Sequence, residues 1–154
     1  MYFIFIINDY QIGDEVFPAR EIADMLLKEN IWVYAKNTPN LKRISPRDQV
    51  LLYIAGKNNR FFYGYFEVKT KAKEGDMIGN NTSQKRIFEK FPLSCSIKVK
   101  DIWENPVMIY DVKEDLNFIK DKKNYGLYFR QGTKVINEED FKLILERGKN
   151  LNKK

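Results

Sequence analysis

Residues 49–69 constrain the architecture most. Two runs rich in apolar and aromatic residues, 49–55 and 61–69, flank Gly56-Lys57-Asn58-Asn59-Arg60. The connection supplies Gly and Asn for positive φ, so the pair predicts a β-hairpin. Strict alternation along the second run puts Phe61, Tyr63, Tyr65 and Glu67 on one face, with Phe62, Gly64, Phe66 and Val68 on the other. One set must be core, and the other leaves aromatic surface on a sheet.

The rest of the chain supplies elements to complete that sheet. Residues 2–7 read as a central strand, apolar on both faces, that stops at Asn8-Asp9. That run is too short for a membrane span and lacks the basic leader of a signal peptide. Pro18 opens a helix whose Ile22, Met25 and Leu26 recur at spacings of three and four. Residues 31–35 form a short strand, and Asn37-Thr38-Pro39-Asn40 is loop chemistry. Residues 70–92 form a connection too long for an ordinary loop, which marks it as functional or mobile. Strands follow at 93–103 and 125–129. A last helix starts at Asn137, carries Glu138, Glu139 and Asp140 in its first turn, and ends near Arg147 before Gly148. The expected fold is α+β: one domain over residues 1–146, a curled mixed sheet of about five or six strands with flanking helices, and a basic tail over 147–154.

Composition excludes whole classes of chemistry. There is no histidine, so Ser-His, Cys-His and His-metal mechanisms are unavailable. The single cysteine, Cys95, allows neither an internal disulfide nor a cysteine-rich zinc site. It reads as a small buried residue in a cytoplasmic protein, with no metal or other cofactor expected. The net charge of +6 is uneven: residues 36–73 hold nine basic and two acidic side chains. Such a field concentrates polyanions, which makes nucleic acid the expected partner.

Two constellations compete for a site. Asn8 ends the first strand, Trp32 and Tyr34 alternate along the second, and Tyr53 and Tyr125 lie in later strands. Rings of this kind stack on a planar base, at roughly 1–3 kcal/mol per stack. An Asn amide offers a donor and an acceptor to its edge. Taken singly, each ring serves a core at least as well. The alternative is a Mg²⁺-dependent nuclease, because Pro46-Arg47-Asp48 and Glu67-Val68-Lys69 imitate a Pro-Asp…Glu-x-Lys arrangement. Among so many lysines, however, an acid-x-Lys triplet is common, and Asp48 also suits the turn into its strand. The acidic set Asp111, Glu114 and Asp115 lacks the spacing of a calcium loop and reads as a solvated turn.

A family resemblance runs over about residues 2–146. The first strand ending in Asn8, the Ile31-Trp32-Val33 step, Ser45-Pro46-Arg47-Asp48 before Val50-Leu51-Leu52-Tyr53, and Gly64 are all similar to EVE domains and their YTH relatives. So are Pro106, Asp115-Leu116-Asn117-Phe118-Ile119-Lys120, Lys122-Lys123-Asn124-Tyr125 and Asn137-Glu138-Glu139-Asp140-Phe141. Departures are Arg47-Asp48 for the usual Gly-Asp, Val33-Tyr34-Ala35-Lys36-Asn37 for a Gly-Val-Arg-Asn run, and Tyr125 where many relatives carry Trp. The resemblance implies a PUA-like curled barrel, without enzymatic activity, whose pocket accepts a flipped and often modified base of DNA or RNA. By position Trp32 matches the cage tryptophan and Asn8 falls in the base-edge segment, and the expected pocket also takes in Tyr34, Asn37 and Tyr53. Tyr125, Phe88 or Phe91 would form the second wall. Lys36, Lys42, Arg43 and Arg60 would hold phosphates.

Overall fold

β1 (Tyr2–Asn8) is buried at its five central positions, because a core lies on each side of it. Phe3, Phe5 and Ile7 enter one cluster and Ile4 and Ile6 the other. That is why this strand reads as a continuous apolar run rather than an alternating one. The computed structural model describes residues 1–57, 60–74 and 82–153, with only the backbone of 82–84. The expected hairpin residues Asn58 and Asn59, and residues 75–81 of the long connection, lie outside the described set.

β1 pairs in parallel with β5 (Gln49–Ala55) and antiparallel with β9 (Thr133–Ile136). A parallel pair needs a crossover. Here the crossover contains the small hairpin β2 (Tyr10–Ile12)–β3 (Glu15–Phe17), helix α1 (Ala19–Lys28) and strand β4 (Ile31–Tyr34). β6 (Arg60–Val68) follows β5, and β8 (Leu93–Met108) follows β6 in the sheet. The strand order is β4-β8-β6-β5-β1-β9, with the two-residue β7 (Lys73–Glu74) also on β8. The first core lies against α1, β4 and α2 (Thr82–Lys90); the second lies against α4 (Glu138–Leu151) and the short helix α3 (Ile109–Val112). The sheet is a curled, mixed half-barrel in an α+β domain, as expected.

Several elements differ from the sequence reading, each for a local reason. Alternation along β6 does not hold. Register shifts at Phe62/Gly64 and Tyr65/Phe66 turn the strand, so Phe61, Tyr63, Phe66 and Val68 all enter the first core while Phe62 enters the second. Bulges of this kind bend a strand and reset its parity. Neither set is surface. Gly64 sits where the Asp101 carbonyl occupies the space of a Cβ, which is the physical content of that glycine. The long connection contains α2, with Ile87 and Phe88 buried. Residues 125–129 form a 3₁₀ turn rather than a strand: Tyr125 and Phe129, four apart, are buried while Leu127 is exposed.

The last helix does not stop before Gly148. Asn137 caps it as expected, accepting from the Asp140 N–H at 2.8 Å. It then runs to Leu151, because Gly148 lies directly under the Trp103 indole. Arg147 binds Asp115 at 2.8 Å, and Asn152 accepts from the Asn105 N–H at 2.8 Å. Residues 147–152 are therefore docked structure and not a frayed tail. The buried Asp140 carboxylate accepts from the N–H groups of Asn117 and Phe118 at 2.9 and 3.1 Å, latching that loop to the helix. No helix among the described residues is long and apolar enough to cross a membrane.

Candidate nucleic-acid interface

Two clefts meet at Asn8, the residue with which β1 ends. The first, of about 380 Å³, is lined by Asn8, Tyr10, Asn37, Pro39, Phe91 and Gly132, among others, and among the described residues by no charged one. β1 delivers Asn8 and β2 delivers Tyr10. Asn37 and Pro39 lie in the turn after β4, which is closed by the Thr38 N–H donating to Ala35 O at 3.1 Å. Phe91 follows α2, tied by its N–H to Ile87 O at 3.0 Å. The Phe91 and Tyr10 rings meet edge-on at 5.3 Å. Gly132 accepts from the Ile6 N–H at 2.9 Å and faces the Thr38 methyl. Both asparagines are exposed, and among the described residues neither side-chain amide is hydrogen-bonded.

The second cleft, of about 390 Å³, is lined by Asn8, Tyr53, Arg60, Gly126, Phe129 and Arg130, with Ala55. Tyr53 stacks on Phe129 at 4.1 Å and 19°. Its side chain is fully buried, and its hydroxyl has no hydrogen-bond partner among the described residues. Burial drives that hydroxyl above its ordinary pKa, nearby Tyr125 adds to the rise, and Arg60 opposes it. It is a neutral donor at physiological pH. Arg60 and Arg130 are both exposed and form no ion pair among the described residues. Beyond Arg130, a third cleft holds Tyr128, Gln131 and Lys134. Lys134 lies 5.3 Å above the Phe118 ring, and burial lowers its pKa.

The expected pocket residues do not all converge. Asn8 and Asn37 share the uncharged cleft; Asn8, Tyr53 and Arg60 share the arginine cleft. Trp32 reaches neither. Its indole is 3% exposed and packs 6.0 Å from Phe5 and 5.6 Å from Phe66. Tyr34 is also core, its hydroxyl 3.2 Å from the Cys95 sulfur. All four β4 residues are buried, because the strand is covered on both faces. Phe88 is core beside Ile87, whereas Phe91 lines the uncharged cleft. Tyr125 is buried behind the arginine cleft, edge-on to the exposed Tyr110 at 5.7 Å, with the Lys113 ammonium 5.1 Å from its ring. Lys36 is exposed beside Asn37, and Lys42 and Arg43 are exposed on the following turn.

Sequence reasoning missed Tyr10 and Arg130. Arg130 was hidden because charge was weighed over long segments, where the acids of the second half offset its bases. The nuclease residues are otherwise engaged. Asp48 accepts from the Ser45 N–H at 2.8 Å and meets the Met1 amino group at 2.8 Å, while Glu67 pairs with Lys69 at 3.0 Å. No group of three potential metal-binding side chains occurs among the described residues.

A curled mixed sheet carrying these helices, with clefts at the end of β1, defines a PUA-like domain. The chain belongs to the EVE domain family, whose family model matches residues 18–147. It is 27% identical over 144 residues to the UPF0310 protein PH1033 of Pyrococcus horikoshii, covering 81% of this chain and 90% of that protein. Human THYN1, solved in complex with DNA containing 5-methylcytosine, superposes with a TM-score of 0.63 at 10% identity, covering 96% of each chain. The YTH domain of Zygosaccharomyces rouxii MRB1, solved with N6-methyladenosine RNA, gives 0.58 at 17% identity, over 95% of this chain and 86% of that one.

Proposed function

We propose that this protein binds nucleic acid and holds one unstacked base, with a preference for a modified one, in the uncharged cleft. The observation that carries the reading is the meeting of two free amides, Asn8 and Asn37, with Tyr10, Pro39 and Phe91 around about 380 Å³. A base is flat and uncharged, and it presents donors and acceptors at its edge. Apolar walls hold its faces, and the amides read its edge. Extrusion from a stack costs a few kcal/mol, which stacking and edge hydrogen bonds must offset. A methyl group enlarges the apolar contact, so a fitted cleft prefers the modified base. The complexes of THYN1 with 5-methylcytosine DNA and of the YTH domain with N6-methyladenosine RNA support this reading by kinship of fold. Lys36, Lys42, Arg43 and Arg60 would contact phosphates, fixing position without reading sequence.

The test is a binding screen of modified and unmodified DNA and RNA oligonucleotides at one salt concentration, repeated with Asn37→Ala and Phe91→Ala. The expected result is a preference for one modification that shrinks about tenfold in either variant, as removal of a stack or an edge hydrogen bond predicts. A preference that survives both substitutions would remove the base from this cleft.

A further inference from the structure

The cleft on the other side of Asn8 has a different chemistry from the base slot. Its floor is the Tyr53 ring stacked on Phe129, and its walls carry Arg60 and Arg130. Among the described residues no acidic side chain lines it, and neither guanidinium is paired. Tyr53 lines this cleft, and its hydroxyl is buried without a partner among the described residues. A buried donor left without an acceptor is costly in the free protein and is rare in native structures. Two exposed arginines lining one cleft with a residue whose donor is unused suit a tetrahedral oxyanion, which offers several acceptors to planar guanidiniums. A base would bring no charge to meet them.

We infer that this cleft is a phosphate subsite, in which the Tyr53 hydroxyl donates to a phosphate oxygen flanked by Arg60 and Arg130. Because Asn8 lines both clefts, the phosphate is that of the nucleotide whose base fills the neighbouring slot, so the unit of recognition is a nucleotide rather than a base. In that respect the inference rests on the proposed function. The phosphate subsite itself does not, since its chemistry is independent of which base binds.

Inorganic phosphate is the first probe, followed by NMR through the Arg60 and Arg130 side-chain N–H resonances in wild type and Tyr53→Phe, and through Arg60 alone in Arg130→Ala. Saturable shifts at both arginines are expected, with affinity about tenfold weaker in each variant. Tyr53→Phe removes only the unpartnered hydroxyl, so the free variant is expected to unfold at the same or a higher denaturant concentration. A purely structural hydroxyl would instead leave phosphate affinity unchanged and lower stability, and that outcome overturns the inference. So does saturable phosphate binding that leaves both arginines unshifted.

A second arm compares one oligonucleotide carrying a 5′-hydroxyl or a 5′-phosphate. Gain from the added phosphate, abolished in Tyr53→Phe, assigns the subsite to a strand end. Equal affinities, both weakened in Tyr53→Phe, assign it to an internal phosphodiester. Phosphate binding as expected, together with no preference among bases, leaves this subsite standing and sinks the base slot alone.

Discussion

At the scale of the residue, the site is a matter of which aromatic rings reach solvent. Trp32, expected as a cage wall, is held between Phe5 and Phe66 at 3% exposure. Its substitution is therefore a stability experiment. Trp32→Ala should cost about 3–5 kcal/mol, the usual penalty for emptying a large aromatic site in a core. Denaturant unfolding reads this directly, and an unchanged midpoint would restore the indole as a ligand-binding group. The reason the sequence misled at this position is physical. Alternation along Ile31–Tyr34 implies one open face, but the strand is covered on both, and nothing local to four residues reports what packs above them. Asn8 and Asn37 line the uncharged cleft, although an amide at a strand end or in a turn serves turn chemistry equally well, so residue type alone did not single them out. Tyr10 and Arg130 were not legible, since each acquires meaning only from segments far along the chain.

At the scale of the element, periodicity served where strands and helices were long. α1, β1, β5 and β6 fall where the hydrophobic pattern put them, and α4 starts where expected, capped by Asn137, but runs on past Gly148 to Leu151. Short elements escaped. Tyr125 and Phe129 have helical spacing within five residues that also alternate acceptably as a strand, and β9 has only four residues to announce itself. The turn into β5 carries a departure whose consequence can be measured. Arg47 adopts φ of 78°, a left-handed conformation that disfavours side chains bearing a Cβ. This is the position where the resemblance expects glycine. Arg47→Gly should stabilise the protein by about 1 kcal/mol in denaturant melts, offset in part by glycine's freedom in the unfolded chain. Destabilisation would show that the Arg47 side chain supplies more than its backbone costs.

At the scale of the whole molecule, the basic residues of 36–73 include Arg60, which lines the arginine cleft, Lys36, which precedes Asn37 of the uncharged cleft, and the exposed Lys42 and Arg43 on the following turn. Such charges act on any nucleic acid, whatever its sequence. Lys42→Ala combined with Arg43→Ala should weaken modified and unmodified oligonucleotides alike. It should also reduce the slope of log affinity against log salt by about 0.7–0.9 for each phosphate that is no longer neutralised. An unaltered slope would place the strand elsewhere. The position of β1 between β5 and β9 has one more consequence, for how the chain reaches this state. β1 finds its outer neighbour only at residues 133–136, far along the chain from residues 2–5. Until β9 pairs, the backbone edge of Phe3, Ile4 and Phe5 is an open strand edge, so assembly of this sheet is governed by long-range encounters, which are slow and leave such edges exposed meanwhile.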